Sequence, residues 1–307
     1  MFLHLRLTRQ TVIRWTPPHW RRANLARSML KTYHNFTNPE LFMKFSPSQL
    51  VFAAALVLSG AVFAQTAAPE APASPLSFNI SLTSNYKFRG QDQDQSKTRA
   101  FKPALQGGVD YAFDNGFYLG NWNSTVNWTK YLPSNPSNSV EIDLYGGYKF
   151  KAGPIDMDVG ALTYYYPGAS GANTTEVYLG GAYGPVSAKY SHTVSKGYFG
   201  IGKEFLVGEG RGTGYLNLAY AQEVAPKVTL KASLGYTSYK GAVRNAGLPN
   251  YLDYSVGASY DLGKGLALSG AVAGANKKSN YLYPASVDSS GKSINKSTLV
   301  VMLTKTL

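Results

Sequence analysis

The stretch "LSFNISLTSNYKFR", residues 76–89, alternates between apolar and polar side chains over most of its length. One face carries Leu76, Phe78, Ile80, Leu82, Tyr86 and Phe88, and the other carries Ser77, Asn79, Ser81, Thr83, Asn85, Lys87 and Arg89. This period of two is that of a β-strand, in which successive side chains point to opposite faces. The stretch therefore predicts a strand with one apolar face, and it places Lys87 and Arg89 on the polar face.

The same period recurs along the rest of the chain and predicts twelve strands. They span residues 76–89, 102–113, 117–130, 139–150, 155–166, 174–183, 186–198, 213–222, 227–239, 250–260, 265–275 and 296–307. The connections alternate between tight turns, such as "DNG" at 114–116, and polar loops, such as 199–212. Strands of about ten residues in an even number, joined by alternating short and long connections, are typical of an outer-membrane barrel.

We therefore predict an all-β fold, a transmembrane antiparallel up-and-down β-barrel over residues 76–307. Lipid offers no partner to a bare backbone group, so a sheet that spans a membrane must close on itself. Aromatic residues at the strand ends are expected to form interfacial girdles: Tyr111, Phe113, Phe117, Tyr118, Tyr148 and Phe150 near short turns, and Tyr164, Tyr165, Tyr166 and Tyr198 near long loops. The alternative is a secreted β-sandwich, which needs neither the girdles nor the alternating connections.

The N-terminal residues read as a targeting segment. Residues 43–64 have a charged start at Lys44, an apolar core and a small-residue cleavage site ending at Ala64, which is the layout of a secretory signal peptide. We expect cleavage after Ala64, export to the bacterial outer membrane, and an Ala/Pro linker over 65–75. Residues 1–42 start no pattern, and we interpret them as an upstream extension from a mis-assigned start, with Met43 as the true start.

Composition excludes several classes of protein. The chain has no cysteine, which rules out disulfides, thiol catalysis and Cys-ligated zinc. The net charge of +13 falls mostly on residues 1–64, and the remainder holds 22 basic and 16 acidic side chains in no basic run. We therefore expect no nucleic-acid partner. The part after residue 64 has no apolar run of 18–20 residues, so no transmembrane helix is expected there.

Three segments resemble a known family. "SNYKFRG" (84–90), "PALQGGVDYAFDNGFYLGNWNSTV" (103–126) and "VEIDLYGGYKF" (140–150) are similar to the TorF-type porin family of bacterial outer membranes, the Gcw_chp type. The resemblance runs over essentially all of 76–307. It implies a signal peptide, a barrel and passive transport, and a final strand read by the barrel-assembly machinery. The terminal Leu307 departs from the aromatic residue that is commoner there.

His192, the only histidine after residue 64, is the candidate for a catalytic residue. The period of two places His192 with Tyr190 and Val194, whereas the hydroxyls of Ser191 and Thr193 point the other way. A local Ser–His pair is thereby excluded, although a distant strand could still supply a hydroxyl. We expect a wall residue and no enzyme.

Four carboxylates on one predicted hairpin form the densest charged group. Glu141, Asp143, Asp156 and Asp158 could coordinate Ca²⁺ or act as acid and base. Strand alternation alone already directs them into the lumen, where Lys149 offsets part of their charge. We therefore expect lumen-lining residues, with no metal and no cofactor.

These observations predict a porin-like channel for passive diffusion of small polar solutes or ions through a narrow, charged lumen. Eight strands give a filled interior and sixteen to eighteen a wide pore, and twelve lie between. The predicted pore-lining residues are Lys87, Arg89, Glu141, Asp143, Lys149, Asp156, Asp158, Lys231 and Asp253. The alternatives are a plugged structural or adhesive barrel that acts through its surface loops and, third, a barrel enzyme acting on lipid. Membrane lipids and lipopolysaccharide are expected partners.

Overall fold

The computed structural model describes residues 74–96, 101–205 and 208–307, and these residues form a closed antiparallel barrel. Twelve strands of this part of the chain make the wall, and the first of them pairs with the last to close it. The predicted fold class is therefore confirmed. The predicted upstream extension (1–42), signal peptide (43–64) and most of the 65–75 linker lie outside the described residues.

The wall strands follow one another around the barrel in chain order. They are β1 Leu76–Thr83, β4 Ala104–Ala112, β5 Phe117–Thr125, β6 Val140–Ala152, β7 Ile155–Tyr165, β8 Thr174–Tyr183, β9 Val186–Thr193, β10 Gly214–Ala225, β11 Val228–Ser238, β12 Tyr251–Gly263, β13 Leu266–Ala275 and β14 Thr298–Thr306. Two further strands, β2 Lys87–Phe88 and β3 Gln91–Asp92, pair with each other as a separate hairpin.

Short helices occur only in the long connections of the described chain. They are the 3₁₀ turns Trp128–Tyr131, Ser170–Ala172 and Lys278–Asn280 and the α-helix Gly241–Asn245. No helix among the described residues is both long enough and apolar enough to cross a membrane.

The outer face of the wall is apolar. On β1 the outward side chains Leu76, Phe78, Ile80 and Leu82 are all exposed, with Leu82 58 % accessible. Near the short turns an aromatic girdle forms as predicted, with ring contacts such as Tyr111–Phe113 at 4.7 Å and Phe117–Tyr148 at 4.8 Å. An exposed apolar band with such a girdle suits a wall that contacts lipid.

Four predicted girdle residues instead face the interior. Tyr118, Tyr164, Tyr166 and Tyr198 are all buried, whereas Tyr165 is exposed as predicted. The side chains of Tyr118 and Tyr164 lie on the inward-facing side of β5 and β7. Tyr166 and Tyr198 lie beyond the ends of β7 and β9, where the chain turns inward. Proximity to a strand end therefore did not determine which face a tyrosine occupies.

The predicted first strand, 76–89, is too long. The wall strand β1 ends at Thr83, and residues 84–96 turn into the barrel. Tyr86 and Phe88, which the alternation assigned to the lipid-facing side, therefore lie inside. The physical reason is that a period of two shows only that one face is apolar. It does not show whether that face contacts lipid or the protein interior.

Candidate functional site

Residues 84–96, named here the inner segment, cross the lumen from the loop end of β1. The β2–β3 hairpin reverses at Arg89 and Gly90, whose φ angles are 46° and 75°. A Cβ on Gly90 would lie 2.5 Å from the carbonyl oxygen of Gly274 and 2.8 Å from the Cβ of Asp253. Only glycine combines this backbone conformation with so close an approach. The tip of the hairpin is thus pressed against β12 and β13.

An ion pair fastens the tip of the inner segment to the far wall. Arg89 donates from both terminal nitrogens to Glu176 on β8, at 3.0 and 2.7 Å. It also donates to the Tyr198 hydroxyl at 3.0 Å, and its guanidinium lies 4.1 Å from the ring centre of Tyr215 on β10. Such a two-pronged, charge-assisted contact fixes orientation as well as position. Both charges are almost fully buried.

Aromatic side chains anchor the same segment laterally. The ring of Tyr86 meets that of Trp122 on β5 edge-on at 5.8 Å. Phe88 packs in the same way against Tyr164 on β7 at 5.5 Å and against Phe199 at 5.3 Å. These rings belong to an apolar cluster on the loop side of the lumen. The segment is therefore held by packing as well as by charge.

Two neighbouring carboxylates on β6 have opposite environments. Glu141 accepts hydrogen bonds from the hydroxyls of Tyr86 at 2.7 Å and Tyr166 at 2.5 Å. Asp143 is 0 % exposed, and neither of its carboxylate oxygens has a hydrogen-bond partner among the described residues. Such burial without a partner is costly for a polar group. Asp143 therefore carries a cost in stability that Glu141 avoids.

The base of the inner segment is held by a second charged cluster, nearer the loops. Lys87 lies 2.8 Å from Asp92 and donates to the carbonyl oxygens of Ile294 at 3.1 Å and Lys296 at 2.6 Å. Burial lowers the pKa of Lys87, and the charge of Asp92 opposes that shift. Asp92 also accepts a hydrogen bond from the Tyr283 hydroxyl. Lys87 and Asp92 thus tie the hairpin to the connection before β14.

The turn-side half of the lumen is more open. Asp158 accepts a hydrogen bond from the Tyr118 hydroxyl at 2.7 Å, and the ammonium of Lys149, its cross-strand neighbour, lies 4.9 Å from the Tyr118 ring centre. At the rim Asp156 pairs with Lys151 at 2.7 Å. Tyr118 and Asp110 are buried here, but many other inward side chains are only half-buried: Ser77, Asn79, Lys149, Asp156, Asp158, Ser187, Thr229, Ser259 and Thr304.

The four carboxylates considered for Ca²⁺ do not come together. Lys149 is the cross-strand partner of Asp158 and lies six residues along β6 from Asp143. At about 3.3 Å per residue this separates the two carboxylate pairs by roughly 20 Å. In the part of the chain that the structure describes, no group of three or more acidic or histidine side chains is placed to hold a metal ion.

The structure places the nine predicted pore-lining residues inside the barrel, in two different ways. Seven lie on the inward phase of wall strands: Glu141, Asp143, Lys149, Asp156, Asp158, Lys231 and Asp253. Asp253, on β12, accepts a hydrogen bond from the Tyr215 hydroxyl at 3.1 Å. Lys87 and Arg89 are not wall residues as predicted, because the inner segment carries them into the lumen.

Glu176 and Asp92 were missed from the sequence. The alternation of β8 places Glu176 on the same face as Thr174 and Tyr178. The period of two in the sequence therefore predicts that the Glu176 side chain points inward. Asp92 lies in what reads as a polar loop, and no sequence signal indicates that the loop folds inward. His192 lies on the outward phase of β9, and its Nδ1 is 3.1 Å from the Tyr190 hydroxyl.

Comparison with known proteins identifies the family. Residues 66–307 match the family model described as "Bacterial protein of unknown function (Gcw_chp)". The chain belongs to this family. The Gcw_chp part of the sequence resemblance is thus confirmed, whereas the match does not extend to the TorF name. No curated protein matches this Gcw_chp member.

Solved porins share part of the shape of this Gcw_chp protein at low identity. The structure described as "KdgM porin" is 11 % identical with a TM-score of 0.46, and the alignment covers 75 % of this chain and 98 % of that one. "NanC porin structure in rhombohedral crystal form" is 10 % identical with a TM-score of 0.47, covering 75 % and 97 %. Likeness at this level carries no argument about function.

Proposed function

We propose that this Gcw_chp protein is an outer-membrane, porin-like channel through which small polar solutes or ions diffuse passively. The observation that carries the proposal is the lumen itself. A closed wall with an apolar exterior encloses charged side chains, which are half-buried on the turn side and converge on the inner segment. The inner segment forms the constriction of the channel. The signal peptide directs export of the chain and is cleaved after Ala64.

The charges at the constriction set its selectivity. At the level of the inner segment lie the buried carboxylates of Glu141, Asp143, Glu176 and Asp253, and of these Glu176 is paired with the guanidinium of Arg89. Rings of acidic side chains favour cations in narrow pores. The channel therefore prefers cations over anions. This preference is reduced by the positive charges of Lys87, Lys149 and Lys231.

The test is electrophysiological. Protein purified from the outer membrane of an expressing bacterium is inserted into a planar bilayer, and the reversal potential is measured under a salt gradient. We expect discrete conductance steps and a reversal potential on the cation-selective side. The Asp143→Asn variant reduces that selectivity, whereas the Glu209→Gln control, on the exposed β9–β10 connection, leaves it nearly unchanged. An unshifted potential in Asp143→Asn would refute the role of this carboxylate.

A second candidate is a plugged structural or adhesive barrel. It is favoured by the complete burial of inward side chains on the loop side, such as Thr193 and Thr237, both 0 % exposed. A plugged barrel is correctly folded yet gives no conductance steps, so the same bilayer measurement separates the two functions.

A further inference from the structure

We propose that the loop-side rim of the barrel carries a binding site for the phosphorylated headgroup of an outer-leaflet lipid, and that this site lies between the β11–β12 and β13–β14 connections. The inference rests on the proposed outer-membrane placement, with the long loops outside. It concerns the outer surface, not the lumen. The observation behind it is a groove of about 640 Å³ lined by Tyr236, Arg244, Gly247, Pro249, Asn250, Tyr251, Leu252, Asn276, Lys277 and Asn280.

The foot of the groove faces the lipid side of the wall. Tyr236 on β11 and Leu252 on β12 are cross-strand partners, and both side chains are exposed on the outer face. Each lies within two residues of the loop-side end of its strand. A ligand that enters the groove therefore contacts an apolar, membrane-facing surface at the level of the interface. This suits a lipid better than a freely soluble ion.

The upper part of the groove is strongly basic. Two of the lining residues, Arg244 and Lys277, are basic and none is acidic, and Lys240 and Lys278 lie near them on the same two connections. All four basic side chains are exposed, and no ion pair involves them among the described residues. Exposed basic groups directly above an apolar surface attract anionic lipid headgroups. Arginine in particular matches the geometry of a phosphate.

The groove is preformed. The Asn250 side chain accepts from the backbone of Tyr239 at 2.8 Å and donates to the Tyr236 hydroxyl at 3.0 Å. The Asn276 side chain accepts from the backbone of Leu252 at 2.9 Å, and the Tyr281 hydroxyl donates to the carbonyl oxygen of Pro249. These contacts join the two connections to each other and to the wall. Binding therefore requires little ordering of the site.

The test compares lipids that differ only in phosphate. The full-length protein is expressed, purified from membranes and examined by native mass spectrometry with phosphorylated lipid A, dephosphorylated lipid A or inorganic phosphate. We expect phosphorylated lipid A to bind at least about tenfold more tightly than either comparison ligand, since both the charged rim and the apolar foot contribute. Inorganic phosphate binding as tightly as the lipid would overturn the proposal.

Two double variants locate the site. Arg244→Glu with Lys277→Glu reverses the charge of the groove, and we expect binding of phosphorylated lipid A to fall at least about tenfold. Lys130→Glu with Lys203→Glu makes the same charge change on exposed residues of the β5–β6 and β9–β10 connections and is expected to leave binding unchanged. Equal effects of the two double variants would contradict a site in the groove. Conductance steps, measured on every variant, report the channel separately from lipid binding.

Discussion

The two halves of the barrel interior are built on the same wall yet differ in access to water. On the turn side Asp158 and Lys149 are half-buried, whereas on the loop side Glu141 and Glu176 are almost completely buried. Both halves continue the same strands with the same alternation. The difference comes from the inner segment and from residues of the long connections, such as Tyr198, Tyr281 and Tyr283, which together supply partners and packing to one half only.

This comparison shows that strand alternation determines which side chains enter a barrel but not what they meet there. In a lumen without the inner segment, Glu176 would be a solvated wall charge. With the segment in place, Glu176 is a buried partner of Arg89. Substitutions are expected to have the largest effect in the loop-side half, a smaller one in the inner segment and the smallest at the turn-side rim.

The largest loss of stability is expected from Glu176→Gln. This change leaves the Arg89 guanidinium buried without its counter-charge, and breaking a buried pair in this way costs about 3–5 kcal/mol. The measurement is the free energy of unfolding in urea from lipid vesicles. Asp143→Asn is the matched control, because it also neutralises a buried carboxylate, but one without a hydrogen-bond partner among the described residues. Equal losses in the two variants would contradict the structural role of the Arg89–Glu176 pair.

A smaller loss is expected from Gly90→Ala. The added methyl group meets the Gly274 carbonyl at 2.5 Å, and the residue keeps a positive φ, so the cost is about 1–3 kcal/mol. Two controls separate the causes: Gly168→Ala has a positive φ and open space, and Gly270→Ala has open space alone. If Gly90→Ala unfolds at the same urea concentration as Gly168→Ala, the close approach to Gly274 does not constrain the segment.

The smallest effect is expected at the turn-side rim. The side chains of Lys151 and Asp156 are 52 % and 32 % exposed, and an ion pair of this kind contributes below about 1 kcal/mol. Lys151→Ala should therefore change the free energy of unfolding by less than either change above. High salt should remove most of the difference in unfolding free energy between Lys151→Ala and the wild-type protein. A loss as large as that of Glu176→Gln would mean that the turn-side half is as tightly organised as the loop-side half.

The wall strands were predictable because the sequence pattern of each strand is local. Each strand shows its own period of two, and the alternation of short and long connections follows from hairpins that cross a membrane. The predicted strand number was correct, and the inward orientation of Glu141, Asp143 and Asp253 followed from the alternation. Strand ends were less accurate, since an inward-turning loop such as 84–89 continues the pattern of the strand before it.

The inner segment was not predictable because its contacts are long-range. Arg89 and Glu176 are 87 residues apart, and they meet only after the wall has closed. The pattern around Tyr86 and Phe88 is as compatible with lipid as with a protein interior. Gly90 is the one sequence feature here that indicates a turn, because a glycine directly after an aromatic, charged strand permits a tight reversal of the chain. That signal alone does not give the direction of the turn.

The central claim is that the inner segment is the constriction of the channel. Its most direct test is the single-channel conductance of a variant in which residues 86–93 are replaced by glycine and serine at equal length. Replacement of residues 285–292, in the β13–β14 connection, is the matched control. We predict a several-fold larger conductance for the first variant and wild-type conductance for the control. Equal conductance in both folded variants would contradict the claim.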